Sequence, residues 1–311
     1  MFDMAPLGLN PAHTGAYLGT ARVGGIYRSQ WETVFGGYRT PSFFVDAPIL
    51  AVGKRDWLGV GGMFFTDDAG VAQLKTSGFM FSGAFHHVMG KRGNSTLTLG
   101  VQGGSVTREL SNIEELLFGD QLSEAVGGGG MSMTGERLMD EMNTSYTDFS
   151  AGLMLRSQLQ DGVGLELGVA VDHIIPVEYG FFGDETRPIT TTAHANMTFD
   201  ISELLRIRPS VLFQTTAGTS ELAVQGWAGY LFDQEKQIRL KAGLGYRLSD
   251  AGQIMIGADI KDLQVGLSYD IALSHLGNEI NNQGGFELAA IYIIKIYKTP
   301  EVPPSILCPE F

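Results

Sequence analysis

The feature that most constrains this chain is strict alternation of apolar and polar residues sustained over ten or more positions. Between Val163 and Asp172, the residues Val163, Leu165, Leu167, Val169 and Val171 share one face, while Gly164, Glu166, Gly168, Ala170 and Asp172 share the other. Residues 237–248 and 263–273 repeat the pattern. A period of two marks a strand, because successive side chains of an extended chain point to opposite sides. Soluble strands usually run about 5–6 residues, whereas a tilted membrane-crossing strand needs about 9–11. These runs have the membrane length, and their polar face is mostly Gly, Ala and Ser with sparse charge, as a crowded barrel interior requires.

The same template gives about fourteen strands. They fall near 17–28, 40–51, 56–66, 75–89, 94–107, 146–158, 162–174, 188–200, 204–215, 220–232, 236–248, 253–260, 262–273 and 284–296. Links after even-numbered strands are brief, as at Gln160-Asp161 and Lys261. Links after odd-numbered strands tend to be longer, as at 29–39, 108–145 and 175–187. The expected fold is therefore all-β: a transmembrane outer-membrane β-barrel of about 14 antiparallel strands, with short periplasmic turns and longer extracellular loops. Residues 1–16 are read as a periplasmic N-terminal segment, 17–297 as the barrel, and 298–311 as a periplasmic tail, since Pro300, Pro303, Pro304 and Pro309 bar a strand there.

Composition supports this division. Glycine supplies 42 of 311 residues, and each glycine inside a helix costs about 1 kcal/mol relative to alanine, which argues against a helical bundle. A spanning helix needs about 20 consecutive apolar residues, and no such run exists; residues 288–294 are bracketed by Glu287 and Lys295. A net charge of −13 without a basic stripe argues against nucleic-acid partners. The lone Cys308 excludes a disulfide framework and a structural zinc site. Residues 1–14 lack a basic region followed by an apolar run, so an outer-membrane location implies a signal peptide upstream of Met1.

Candidate chemistry is sparse. The six histidines are scattered, and His86 and His87, adjacent on a strand, point to opposite faces. No Gly-x-Ser-x-Gly turn is present, and the Gly127–Gly130 run lacks the Gly-Lys-Ser/Thr of a phosphate loop. We therefore assign no catalytic, cofactor-binding or metal-binding residues. The polar face carries Arg22, Arg28, Arg156, Arg206, Arg208, Arg239, Lys241 and Arg247 with Glu166, Asp172, Glu221, Asp270 and Glu287. Buried charges must be paired or solvated, so these read as a salt-bridged interior, with Glu166, Asp172, Arg239, Lys241 and Arg247 as a lumen charge network; a selective pore is the sharper alternative. Aromatic residues Tyr27, Trp31, Trp57, Tyr146, Tyr179, Phe181, Phe182, Tyr230, Phe232, Tyr246 and Tyr297 cluster near strand ends, as an interfacial girdle requires.

Several strings, in order along the chain, resemble the PorP/SprF family of the type IX secretion system of gliding and secreting Bacteroidetes-type bacteria. They are Met1-Phe2-Asp3-Met4, the Asn-Pro-Ala-x-x-Gly of residues 10–15, Tyr27-Arg28-Ser29-Gln30-Trp31, residues 42–48 with Asp46, Ser268-Tyr269-Asp270, Glu287, and the closing Cys308-Pro309-Glu310-Phe311. Glu310 departs from the basic residue common there. The resemblance implies a barrel that supports export or surface attachment of large adhesin-type substrates. Its partners would be the outer-membrane bilayer, other type IX components and secreted adhesins, and it implies no cofactor. It singles out Asn10, Pro11, Tyr27, Arg28, Gln30, Trp31, Asp46, Asp270, Glu287, Cys308 and Phe311 as partner or structural residues. A passive or substrate-selective channel is the alternative, and a barrel lipid hydrolase the third reading.

Overall fold

A computed structural model of the chain describes residues 1–31, 37–70, 73–91, 93–111, 142–181, 185–273 and 284–296. Fourteen antiparallel strands close into one barrel, each paired with its neighbours in sequence and β1 paired with β14. They are β1 Ala21–Gln30, β2 Tyr38–Val52, β3 Asp56–Ala69, β4 Leu74–Met89, β5 Ser95–Leu110, β6 Met142–Gln160, β7 Val163–Asp172, β8 Thr190–Asp200, β9 Leu205–Thr216, β10 Thr219–Asp233, β11 Ile238–Arg247, β12 Ala251–Ile260, β13 Leu263–Ala272 and β14 Gly285–Ile294. Closure leaves no strand edge, the condition a sheet must meet to sit in lipid. No helix among the described residues is long and apolar enough to cross a membrane.

The two faces follow the alternation. On β7, Leu167 and Val169 are exposed on the outside while Gly168 and Ala170 are buried inside, and on β13 Tyr269 faces out where Ser268 and Asp270 are buried. The apolar outer band includes Phe79, Phe81, Leu99, Val101, Leu244 and Ile256, each more than a third exposed, which in water would be untenable and in a bilayer is the lipid contact. The links at one end are brief, at 53–55, 90–94, 161–162, 201–204, 234–237 and 261–262. At the other end they reach 173–189 and 111–141, with short exceptions at 217–218 and 248–250.

Two expectations change. The first strand begins at Ala21 rather than residue 17, because residues 17–20 carry the chain from the lumen to the wall; Tyr17 is held there by its hydroxyl, which donates to the Asp46 carbonyl at 2.6 Å. More consequential is the N-terminal segment. Residues 1–16, read from the sequence as a periplasmic N-terminal segment, enter the barrel as three short helical turns, Phe2–Met4, Pro6–Leu9 and Pro11–His13, and plug the lumen. The tail from residue 297 onward, with Cys308 and Phe311, lies outside the described residues, as do Phe182, Tyr297 and the Gly127–Gly130 run.

Candidate functional site

The plug is held first by apolar packing. Met1, Met4 and Leu7 join Phe44, Trp227, Met255, Ala289 and Ile291 in one buried cluster. Complete burial of such side chains contributes about 1.5–3 kcal/mol each.

Polar anchors then fix its register. The Asn10 amide donates to the carbonyls of Leu153 on β6 and Val169 on β7, both at 3.3 Å, and its Oδ1 accepts from the Ala12 amide at 2.9 Å. This approach to the barrel wall is possible only because three inward positions are glycine. A Cβ on Gly152 would strike Asn10 Oδ1, one on Gly168 would strike His194 and Asn10, and one on Gly100 would strike the Ala12 backbone. The turn that follows uses Gly15 at φ +71°, whose Cα lies against Gly59.

Beyond the turn, Asp46 is the second anchor. It is 1% exposed, and Arg22 forks onto it, Nε to Oδ1 at 2.9 Å and Nη2 to Oδ2 at 2.8 Å. Its Oδ2 also accepts from the Gly15 amide at 2.6 Å, and Arg22 Nη2 donates to the His13 carbonyl at 2.9 Å. Such bidentate, charge-assisted bonds are among the stronger ones a protein makes. His86 Nε2 meets the Thr14 carbonyl at 2.8 Å and stacks on Trp57, whose indole N–H donates to the Gly15 carbonyl at 3.0 Å. Trp57 therefore faces the plug and not the lipid girdle. Tyr27, Tyr230, Phe232 and Tyr246 do lie exposed on the outer face.

The lumen charges separate into local clusters rather than one network. Glu166 accepts from Arg156 Nε at 2.7 Å and from Asn196 at 2.6 Å. Asp270 gathers Arg28 at 3.3 Å, Arg247 at 3.4 Å and Gln253 at 2.7 Å, and Glu287 pairs with Arg28 and the Met1 amino nitrogen. Lys241 pairs with Asp259 at 2.6 Å. Arg239 stands directly across the β11–β12 ladder from the same Asp259, its Nε without a hydrogen-bond partner among the described residues, and Asp172 faces Ser150 across the β6–β7 ladder. Gln30 and Trp31 sit at the opposite rim, where Trp31 meets Tyr38 edge to face. Pro11 begins the third helical turn, buried beside Gly152.

The long-loop end is also covered. Val177 and Tyr179, in the β7–β8 link, pack on Met80, Val106 and Tyr146. Arg108 donates to the Tyr179 carbonyl at 2.8 Å and lies over the rings of Tyr179 and Phe181. Three more aromatics assigned to the girdle, Tyr146, Tyr179 and Phe181, thus serve the mouth instead.

One grouping escaped the sequence, because its members are 28 to 181 positions apart: His13, Glu166 and His194 bring a ligand atom each to within 4.8 Å of one another. Its chemistry does not suit a metal. A ligating imidazole normally donates its other N–H to an acceptor, but His13 Nδ1 faces an Arg156 amino group at 3.2 Å and His194 Nε2 faces the Asn10 amide at 3.2 Å, both donors. The nitrogens turned toward Glu166 therefore carry the protons. Burial, reinforced by Arg156, holds His13 well below its usual pKa although Glu166 opposes it. His173 pairs with Asp148 at 2.7 Å, a base and its orienting carboxylate, but no serine hydroxyl meets its Nε2 among the described residues.

The family model described as type IX secretion system membrane protein PorP/SprF matches residues 1–292. No curated protein matches the chain. Among solved structures, the chain is similar to the Pseudomonas putida toluene transporter TodX, with 11% identity, 93% of each chain covered and a TM-score of 0.53. It is also similar to the CymD monoaromatic hydrocarbon channel, with 12% identity, 95% and 94% coverage and a TM-score of 0.52. A Pseudomonas aeruginosa FadL homologue gives 11% identity, 91% and 92% coverage and a TM-score of 0.51. These likenesses establish the outer-membrane barrel fold.

Proposed function

The chain belongs to the type IX secretion system membrane protein family PorP/SprF, and we propose that it acts in that system as a plugged outer-membrane barrel supporting export or cell-surface attachment of large adhesin-type substrates. The filled lumen carries this reading. A barrel whose N-terminal segment is tied to its wall by Asn10, Asp46 and His86 offers partners its rims and loops, not a water-filled path. An open channel would instead leave its charged side chains facing bulk water, whereas Asp46, Asp270, Glu287 and Arg22 are each less than a tenth exposed. The outer rim, where Trp31 and Tyr38 meet, and residues 299–311 are the surfaces assigned to partners. Hydrolysis is not supported by the His173–Asp148 pair, which has no serine hydroxyl on it among the described residues.

Deleting the gene in its host should lower the amount of a large adhesin-type protein on intact cells, and the full chain supplied in trans should restore it. Co-purification with periplasmic secretion components is the second expected result. Unchanged surface adhesin together with restored uptake of a small solute would overturn the proposal in favour of transport.

A further inference from the structure

At the short-turn end of the barrel, between the chain's exit at Leu18 and the wall formed by β5 to β9, lies a cavity of about 480 Å³, within the range of small-molecule sites. Arg156, Arg208 and Glu166 supply its charge. Arg156 is committed: its three nitrogens meet Glu166, the Ala16 carbonyl and His13. Glu166 is likewise engaged, by Arg156 and Asn196. Arg208 is not. Its one ion-pair partner among the described residues is Asp3, at the long distance of 4.0 Å, and its side chain is 38% exposed. An Arg fork with spare donors matches a planar or tetrahedral oxyanion. The remaining wall includes the neutral hydrogen-bonding side chains Asn94, Gln158, Thr198 and Asn196, and the Asn196 Oδ1, in a residue 4% exposed, has no partner among the described residues. Groups of that kind recognise hydroxyls rather than hydrocarbon.

We infer that this cavity binds a sugar-sized oxyanion, with Arg208 forked onto its carboxylate or phosphate and the amide and hydroxyl wall taking its hydroxyl groups. A bare cation is disfavoured because the lining carries two guanidinium groups against one carboxylate. An apolar ligand would leave the spare donors of Arg208 and the Asn196 Oδ1 unsatisfied.

The test is isothermal titration of the full chain in detergent with glucuronate, glucose 6-phosphate and uncharged glucose. Saturable binding of either anionic sugar, without binding of glucose, is expected, and which one binds identifies the oxyanion. Arg208→Gln should weaken it on the order of tenfold or more, while Arg206→Gln, which breaks an exposed pair with Asp200 outside the cavity, should not. Gln158→Glu, at an exposed position, should weaken it equally by repulsion, so the inference does not depend on one variant folding. No saturable binding of either anion, equal binding of glucose, full binding by Arg208→Gln, or binding that appears only after removal of residues 299–311 would each overturn it.

Discussion

Replacing Asn10 by alanine removes the plug's deepest anchor without altering any strand. The side chain makes a 2.9 Å bond from the Ala12 amide and donates among three acceptors, the Leu153 and Val169 carbonyls and His194 Nε2. Its amide has two hydrogens, so at most two of those three bonds count at full strength. Each net hydrogen bond is worth about 0.5–1.5 kcal/mol, and the buried Ala12 N–H left unpaired costs about 1–3 kcal/mol. The sum, about 2–6 kcal/mol, bears on docking of residues 1–16 and not on barrel closure. At about 1.4 kcal/mol per decade, the undocked population should rise between roughly thirtyfold and about ten-thousandfold or more. Thr14, fully buried in the docked plug, reports this opening when changed to cysteine in a Cys308→Ser background, through its rate of reaction with a bulky maleimide. The Asn10→Ala protein should label faster by at least an order of magnitude, while its heat-modifiable migration on a detergent gel stays that of the parent. Labelling within about twofold of the parent, with the barrel intact, would refute the docking account.

The same assay reads two further effects. Gly152→Ala places a Cβ against Asn10 Oδ1 and should release the plug, whereas Gly226→Ala, with nothing within 4 Å of the added carbon, should leave labelling unchanged; equal behaviour of the two would contradict the steric reading. Docking should also weaken as pH falls through about 6.5, the ordinary histidine value. His13 is kept neutral by burial, so the undocked segment takes up a proton that the docked one does not, and stability present above that pH is lost below it. Arg156, Arg22 and His194 face His13 and add to this, while Glu166 opposes it. After correction for thiol reactivity, a labelling rate flat from pH 8 to pH 5 would rule the effect out.

Much of the barrel was legible because its physics is local. Lipid outside and a polar interior inside impose a period of two on every strand, and Val163–Asp172 displays it without reference to any neighbour. Strand ends were also marked, by Gly162 and Gly218 at positive φ in tight turns. The plug was not legible, because its partners are chosen by register around the barrel. Nothing near Asn10 says that it will meet β6 and β7, more than 140 positions away. A signal was present nonetheless: Gly100, Gly152 and Gly168 fall at inward positions on three consecutive strands, a smooth track that admits a chain. The alternation alone places them on the polar face of a crowded interior, and only the folded register shows that these three make room for the plug. The aromatic residues show the same limit, since proximity to a strand end does not decide whether Trp57 turns to lipid or to His86.

The central claim is that the lumen of this secretion-family barrel is closed by its own residues 1–16. Single-channel recording of the full chain in a planar bilayer tests it most directly. The account predicts no large, steady openings for the parent and their appearance on Asn10→Ala. Large stable conductance from the unaltered protein would contradict it.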